Sequence, residues 1–340
     1  MLDVIVVGAG PVGSYMASLL KGSMDVAVIE KAPSLGHKAC SGLVSTNLDG
    51  FVKVPKELIE HRVRGAVMHS PGGSEIELKK EGTAAYVIDR PGFDRWMASG
   101  VKGMISFSTE AKGITVKEDQ VEVRTGKGRM ESRVMIDCGG ANSIGARRYG
   151  AVPGELLTGL TAMAKEPDSS DHVEMWYDAQ KLGDGFFWKI PRGSRTEYGM
   201  LGSRASFGQI EGFFGIKGYE KAAAPIPMGM VKTYYDRVLL MGDAACQVKP
   251  WSGGGIIYGF TAAQAAARAL EKGDFSEAGL KAYEDGWKEK LSRPITMGLM
   301  LREFLKDMDN DGLEAIFKKL GGAELNGLDM DFPLLNNLPL

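Results

Sequence analysis

An α/β fold with an α+β insertion is predicted for this chain: a doubly wound, Rossmann-like nucleotide-binding domain, an antiparallel-sheet domain inserted into it, and helices at the end. Three observations predict it. Residues 2–30 read as an apolar strand, a glycine-rich turn, a helix and a second apolar strand closed by an acid, the opening of a βαβ unit. Residues 237–259, RVLLMGDAACQVKPWSGGGIIYG, read as another apolar strand and a turn, then a glycine run feeding a small-residue helix. Between residues 151 and 225, alternating segments such as HVEMWYD, GFFWKIP and RTEYGML read as antiparallel strands. The expected division is 1–62, 86–150 and 226–275 for the nucleotide-binding domain, 63–85 and 151–225 for the inserted domain, and 276–340 for the helical region. A chain of 340 residues is ample for such cores.

Composition narrows the partners. Lys and Arg number 41 against 43 Asp and Glu, a net charge of -2 with no basic tract, so no nucleic acid partner is expected. Cys40, Cys138 and Cys246 are far apart and form no CxxC or zinc spacing, so no metal site is expected and a reduced, cytoplasmic chain fits. The first strand begins at once, without a leader pattern, and no apolar run reaches the length of a membrane span, so any membrane contact is expected to be peripheral.

Taken in order, the glycine turn is Gly8-Ala9-Gly10-Pro11-Val12-Gly13. Gly8 permits the tight turn, Gly10 lets backbone approach a pyrophosphate, and Gly13 allows close helix packing. Glu30 closes the second strand at the distance expected of a ribose-binding acid. The loop from Lys31 to residue 45 follows directly and is placed to run along the cofactor, carrying Cys40, Ser41 and Gly42. Cys40 either packs under this loop or stands beside the cofactor. The four histidines, His37, His61, His69 and His172, show no mutual pattern and read as loop or surface residues.

Residues 63–80 alternate about Pro71-Gly72-Gly73, a hairpin at the edge of the second sheet. A helix is predicted from about Pro91; Arg90, just before it, either meets cofactor phosphate, holds the Cys40 loop, or forms a surface ion pair with Asp94. Strands follow at 113–116, 121–124 and 134–136. Phe186 and Trp188 fall on one face of their strand, where they either fill a core or line an apolar substrate channel.

In the late stretch, a strand at 238–241 ends in Gly242-Asp243, and Pro250 leads through Gly253-Gly254-Gly255 to a helix beginning near residue 254 and including Ile256. A helix N-terminus fronted by glycines offers unpaired N–H groups and a positive dipole end with no side chain in the way. That suits a planar ligand with negative charge at one edge. Asp243 can accept a ribityl hydroxyl. A second cofactor-binding region so late in the chain favours FAD over NAD. Beyond residue 270 the sequence is helical and Met- and Leu-rich, ending in an apolar, irregular tail, DFPLLNNLPL, with no catalytic signature.

These residues resemble a known family. Gly8, Gly10, Gly13 and Glu30, the run Arg90-Pro91-Gly92-Phe93-Asp94, and GDAACQVKPWSGGGI are similar to FAD-dependent oxidoreductases of the para-hydroxybenzoate hydroxylase type. Lys38-Ala39-Cys40-Ser41-Gly42 and the Gln247-Val248-Lys249-Pro250 approach to the glycines most resemble archaeal geranylgeranyl reductases. That family's P-x-x-Y-x-W-x-F-P motif is matched at Trp188 and Pro191; Gly183, Phe186 and Ile190 depart from it. Where hydroxylase relatives carry Asp-Gly before Ala-Asn-Ser, this chain has Gly139-Gly140.

The resemblance implies an FAD-dependent reductase saturating isolated double bonds of a geranylgeranyl chain in membrane-lipid biosynthesis. It implies Cys40 beside the active site, gating or positioning the isoprenoid, with Phe186, Trp188 and Pro191 binding it. The electron donor would be ferredoxin, a deazaflavin or NAD(P)H. Two other classes compete. Phe186-x-Trp188-x-Ile190-Pro191 is also similar to the W-x-W-x-I-P motif of flavin halogenases, which with the monooxygenases use oxygen; a halogenase would need a lysine such as Lys79, Lys80 or Lys189 between flavin and substrate. An electron-transfer flavoprotein is the other, although three scattered cysteines do not ligate an iron–sulfur cluster.

Overall fold

The computed structural model describes residues 1–321 and 329–332, and everything below concerns those residues. The apolar runs at 2–7 and 26–29 become the parallel strands Leu2–Val7 and Val26–Ile29, joined by the helix Pro11–Leu20. On the other side of Leu2–Val7 lies Gly128–Asp137, also parallel, and then Val238–Leu240. Residues far apart in sequence therefore lie side by side at the carboxyl ends of these strands, the usual place for ligands in a doubly wound sheet. The strand expected at 134–136 is longer than its apolar part. It starts as the return arm of a hairpin with Val121–Thr125, and only its buried Met135–Asp137 portion lies between two parallel strands, Leu2–Val7 and Val238–Leu240.

The second sheet runs Glu220–Met228, Glu155–Ala164, Thr196–Gly202, Phe186–Pro191, His172–Trp176, Gly65–His69, Glu75–Lys79. Its pairings are antiparallel with one exception, His172–Trp176 beside Gly65–His69, because the hairpin at 65–79 joins from a distant part of the chain. A third, small sheet of Leu43–Ser45, Ala85–Ile88 and Ile59–Val63 connects the two.

The helix Ile256–Leu270 is buried almost all round, as its alanine content permits, and packs on the first helix with Tyr15 stacked on Phe260 at 4.2 Å. The helix Glu277–Lys306 covers it through Leu280, Tyr283, Trp287 and Leu291, each at most 1% exposed. Burying a large side chain of this kind contributes about 1.5–3 kcal/mol, so this helix is a structural clamp. Tyr283 also ties the site together: its hydroxyl donates to the Leu240 carbonyl at 2.7 Å and accepts from Gln247 Nε2 at 2.9 Å, while Gln247 Oε1 accepts from the Gly242 N–H at 2.8 Å. Most of the apolar tail expected after residue 330 lies outside the described residues.

Candidate functional site

The two glycine motifs meet at Val12. A methyl at Gly259, in the first turn of the late helix, would collide with Val12, and one at Gly242 would touch it at 3.4 Å. The N-terminal turn of the first helix, the Gly242-Asp243 turn and the N-terminal turn of the late helix thus form one cradle from segments some 230 residues apart. Both helices begin on a glycine, Gly10 and Gly255, with no side chain capping their free N–H groups. Such ends favour anionic groups.

Within the cradle the glycines divide by task. Gly8 has φ +94°, and a methyl there would stand 2.6 Å from the Cys138 carbonyl oxygen; a methyl at Gly13 would collide with the carbonyl of Gly8. Gly10 faces open space, where backbone can approach a ligand. Gly253 has φ +73°, Gly254 packs on the Lys249 stem, and Gly255 faces Asp243 Oδ1. The late helix starts at Ile256, two residues after the expected start, because these glycines fold back: the Lys249 N–H donates to the Gly254 carbonyl and the Gly253 N–H to the Lys249 carbonyl.

Glu30 sits at the end of its strand as expected and accepts the N–H groups of Ala9 at 2.9 Å and Ala32 at 2.8 Å, which leaves lone pairs for a hydroxyl. Lys31, next to it, is exposed. The position where relatives carry an acid is also explained. A side chain on Gly139 would run into Asp137 Oδ1, and it is Asp137 that holds this turn, accepting from the Gly139 and Gly145 N–H groups and the Ser143 hydroxyl. Burial nonetheless pushes its carboxyl above the ordinary range.

The cysteine loop folds onto the cradle. Lys38 pairs with Asp243 at 2.5 Å, and Asp243 raises the Lys38 ammonium above its usual value. Of the alternatives for Arg90, the ion pair with Asp94 forms, but buried and not at the surface, since the helix Arg90–Ser99 packs beneath the loop. Its Nε donates to Asp94 Oδ1 at 2.7 Å; burial opposes its charge, but the neighbouring Cys40 and Asp94 together hold it more firmly protonated. The loop meets this helix at Gly36, which packs against Pro91 and Arg95. Gly42, at φ +66°, presses against the Ile88 carbonyl, and Arg192 donates to the carbonyl of Ser41.

Phe186 and Trp188 share a face, with centroids 5.9 Å apart. Phe186 is packed with Leu157, Leu201, Met228 and Val248, and Gly253 lies against Ile226 of the same cluster, so the glycine run packs directly on this apolar wall. Phe187 faces the other way, stacked on Phe213 at 4.4 Å. Pro191 ends the strand, buried. Lys79 and Lys80 are exposed, Lys79 pairing with Glu77, and Lys189 is held by Asp168 and Glu174. His69, expected in a loop or at the surface, stands in a strand, stacked on Trp176 at 4.9 Å between Glu75 and Glu174, because the parallel pairing brings those partners together.

Sequence reading assigned no task to Val12, Lys249, Arg192 or Glu197. Lys249 pairs with Asp331 at 2.8 Å, both buried, and Asp331 also accepts from Ser45 and Asn47. Burial opposes the Asp331 charge, but Lys249 and these donors outweigh it and hold its carboxyl below the usual range. A lysine beside a glycine run was the one visible signal; its partner 82 residues on gave none.

A sheet with glycine-fronted helices at its carboxyl edge, beside a cysteine loop and an apolar aromatic cluster, defines a flavin-dependent oxidoreductase; the side-chain-free turns at Gly8–Gly13 and Gly253–Gly255 and the two uncapped helix ends fit FAD. The tryptophan halogenase family model matches residues 64–297, more than half of the chain. A digeranylgeranylglycerophospholipid reductase 2 of Methanococcoides burtonii is 30% identical over 365 residues, covering 96% of this chain and 90% of the relative. Among solved structures, a geranylgeranyl bacteriochlorophyll reductase-like protein of Thermoplasma acidophilum superposes with a TM-score of 0.84 at 21% identity, covering 95% of this chain and 92% of the other. The halogenase PltM in complex with FAD gives 0.70 at 15% identity, covering 88% and 75%. The chain belongs to the digeranylgeranylglycerophospholipid reductase family, within the flavoproteins that the tryptophan halogenase model describes.

Proposed function

We propose that this protein saturates isolated double bonds of a geranylgeranyl chain carried on a glycerolipid. The observation that carries the reading is that the glycine run in front of the late helix packs directly on the apolar cluster of Phe186, Leu201, Ile226 and Trp188, with the Cys40 loop folded onto the cradle through Lys38 and Asp243. Reduced FAD, when bound, supplies hydride to one alkene carbon, and a proton completes the neighbour. An unactivated alkene offers no carbonyl to polarise, so the protein contributes by orienting the chain and excluding water, tasks suited to an apolar wall. The uncapped helix N-terminus at Gly254 and Gly255 favours negative charge on the ring edge.

The related halogenase chemistry calls for a lysine at the substrate, and Lys79, Lys80 and Lys189 are exposed or paired elsewhere. The names of relatives at about 28–30% identity favour the lipid. Reducing equivalents come from an external donor of the ferredoxin, deazaflavin or nicotinamide class. Contact with the bilayer is peripheral in this reading. Met300, Leu301 and Phe304 are exposed on one side of the long helix, and no helix among the described residues is long and apolar enough to cross a membrane.

The test is anaerobic. Chemically reduced holoenzyme is mixed with a geranylgeranyl glycerolipid, and flavin reoxidation is followed with the product mass. Reoxidation with a gain of about two hydrogens per turnover supports the reading; a flavin that stays reduced until air is admitted overturns it in favour of oxygen chemistry.

A further inference from the structure

Arg192 and Glu197 form a buried ion pair in the second sheet, 6% and 0% exposed. Arg192 meets Glu197 Oε2 through Nη2 at 2.7 Å and Nε at 3.2 Å, a two-pronged contact. Its Nη1 reaches Glu60, and its Nη2 also donates to the Ser41 carbonyl, next to Cys40. The other oxygen of Glu197 accepts from Trp188 Nε1 at 3.0 Å. An unbroken chain of hydrogen bonds therefore links the cysteine loop to the Trp188 indole. The indole lies flat on Gly199, where any side chain would collide with the ring. A buried ion pair adds little stability over apolar residues of the same shape, since its desolvation offsets the attraction, so its value lies in the geometry it imposes.

We propose that Arg192 and Glu197 are positioning residues that fix the Cys40 loop and the Trp188 indole relative to each other, and so set the orientation of the bound alkene. The proposal rests on the reading that Trp188 walls the isoprenoid site. Neither residue touches the reacting atoms. Losing the pair leaves the lipid able to bind, because the apolar wall remains, but poorly aligned.

The test uses the FAD-loaded enzyme and the double variant R192Q/E197Q, which leaves no lone buried charge, with R192K as the variant of choice should the double one not fold. R192K keeps the charge but cannot hold Ser41 and Glu197 with one fork. Two quantities are read: single-turnover flavin reoxidation by a geranylgeranyl glycerolipid in micelles, and, without substrate, the rate at which iodoacetamide labels Cys40, located by mass spectrometry. The expected result is a loss of about tenfold or more in the saturating rate, with half-saturation within about twofold, and labelling of Cys40 changed by about threefold or more as the loop loosens. Adding W188F to R192Q/E197Q should cost less than W188F costs alone, since the two act through one contact. A folded variant with wild-type rate and wild-type labelling overturns the proposal, as does strict additivity with W188F. If the wild type is not reoxidised by lipid, the functional reading fails, and the labelling arm still decides whether the pair holds the loop.

Discussion

Gly10 and Gly13 belong to one motif but answer to different neighbours, so the same substitution should separate fold from cofactor. A methyl at Gly10 meets nothing, and its φ of -61° suits alanine. Gly10→Ala should leave stability within about 0.5 kcal/mol while weakening FAD by about tenfold or more, the loss of one hydrogen bond to a charged group. Gly13→Ala must displace the Gly8 carbonyl and should destabilise the apo-protein by about 1–3 kcal/mol or more. Urea unfolding and FAD titration separate the two. The cysteines divide in the same way. Burial pushes the Cys246 thiol up to about 12 and Cys138 further, although Cys138 is half-buried like Cys40; Cys40 differs in standing on a surface loop beside Arg90, whereas Cys138 follows a buried strand. Iodoacetamide at pH 8 should label Cys40 alone in the native protein and all three after unfolding. Native labelling of Cys138 or Cys246 would contradict this packing.

At the scale of elements, the segment around Asp331 is pinned under the glycine run by Lys249, Ser45, Asn47 and the Tyr258 hydroxyl. The Asp331 carboxyl is held below its unfolded value near 3.9, so its contribution is full above that value and is lost as pH falls through the folded one. Asp331→Asn should therefore cost about 1–3 kcal/mol near pH 7, with Lys249 left short of its partner. The gap between variant and wild type should close as pH falls below about 4; a gap constant from pH 7 to 3 in urea melts would rule the linkage out. This pair also marks where sequence stops being legible. Glycine turns, strand alternation and helix starts are local, set by backbone sterics over a few residues, and the elements at 2–7, 26–29, 186–191 and 256–270 were readable for that reason. Lys249–Asp331, Arg192–Ser41 and the stacking of His69 on Trp176 depend on which strands become neighbours, and no local pattern encodes the partner. Arg90 shows the same limit: its spacing to Asp94 and its closeness to the Cys40 loop were both visible as alternatives, but only the fold shows that the Asp94 pair is buried.

Over the whole molecule, the cradle is shared among segments distant in sequence that meet around it at small glycine contacts, Val12 and the Lys38–Asp243 pair, so FAD should add core between them. A ligand bound at a hundred times its Kd adds about 2.7 kcal/mol to stability. That gain should not be spread evenly. Residues 8–13, 38–42, 242–243 and 253–260 line the cradle and should gain the most protection from hydrogen exchange when FAD binds. Helix Glu277–Lys306 should follow, since Tyr283 carries the Gln247–Gly242 contact into it. The hairpin of Ala111–Val116 and Val121–Thr125 pairs with the outer half of Gly128–Asp137 and takes no part in the glycine contacts of the cradle, and should exchange nearly alike with and without cofactor. Comparing apo- and holo-protein by exchange and mass spectrometry reads all of these at once. Equal protection of the hairpin and the cradle would mean that FAD stabilises a single cooperative unit, and the argument from separate segments would fail. Protection confined to residues 8–13 would mean that the late glycine run does not hold the ring, which would remove the basis for placing hydride chemistry beside Trp188.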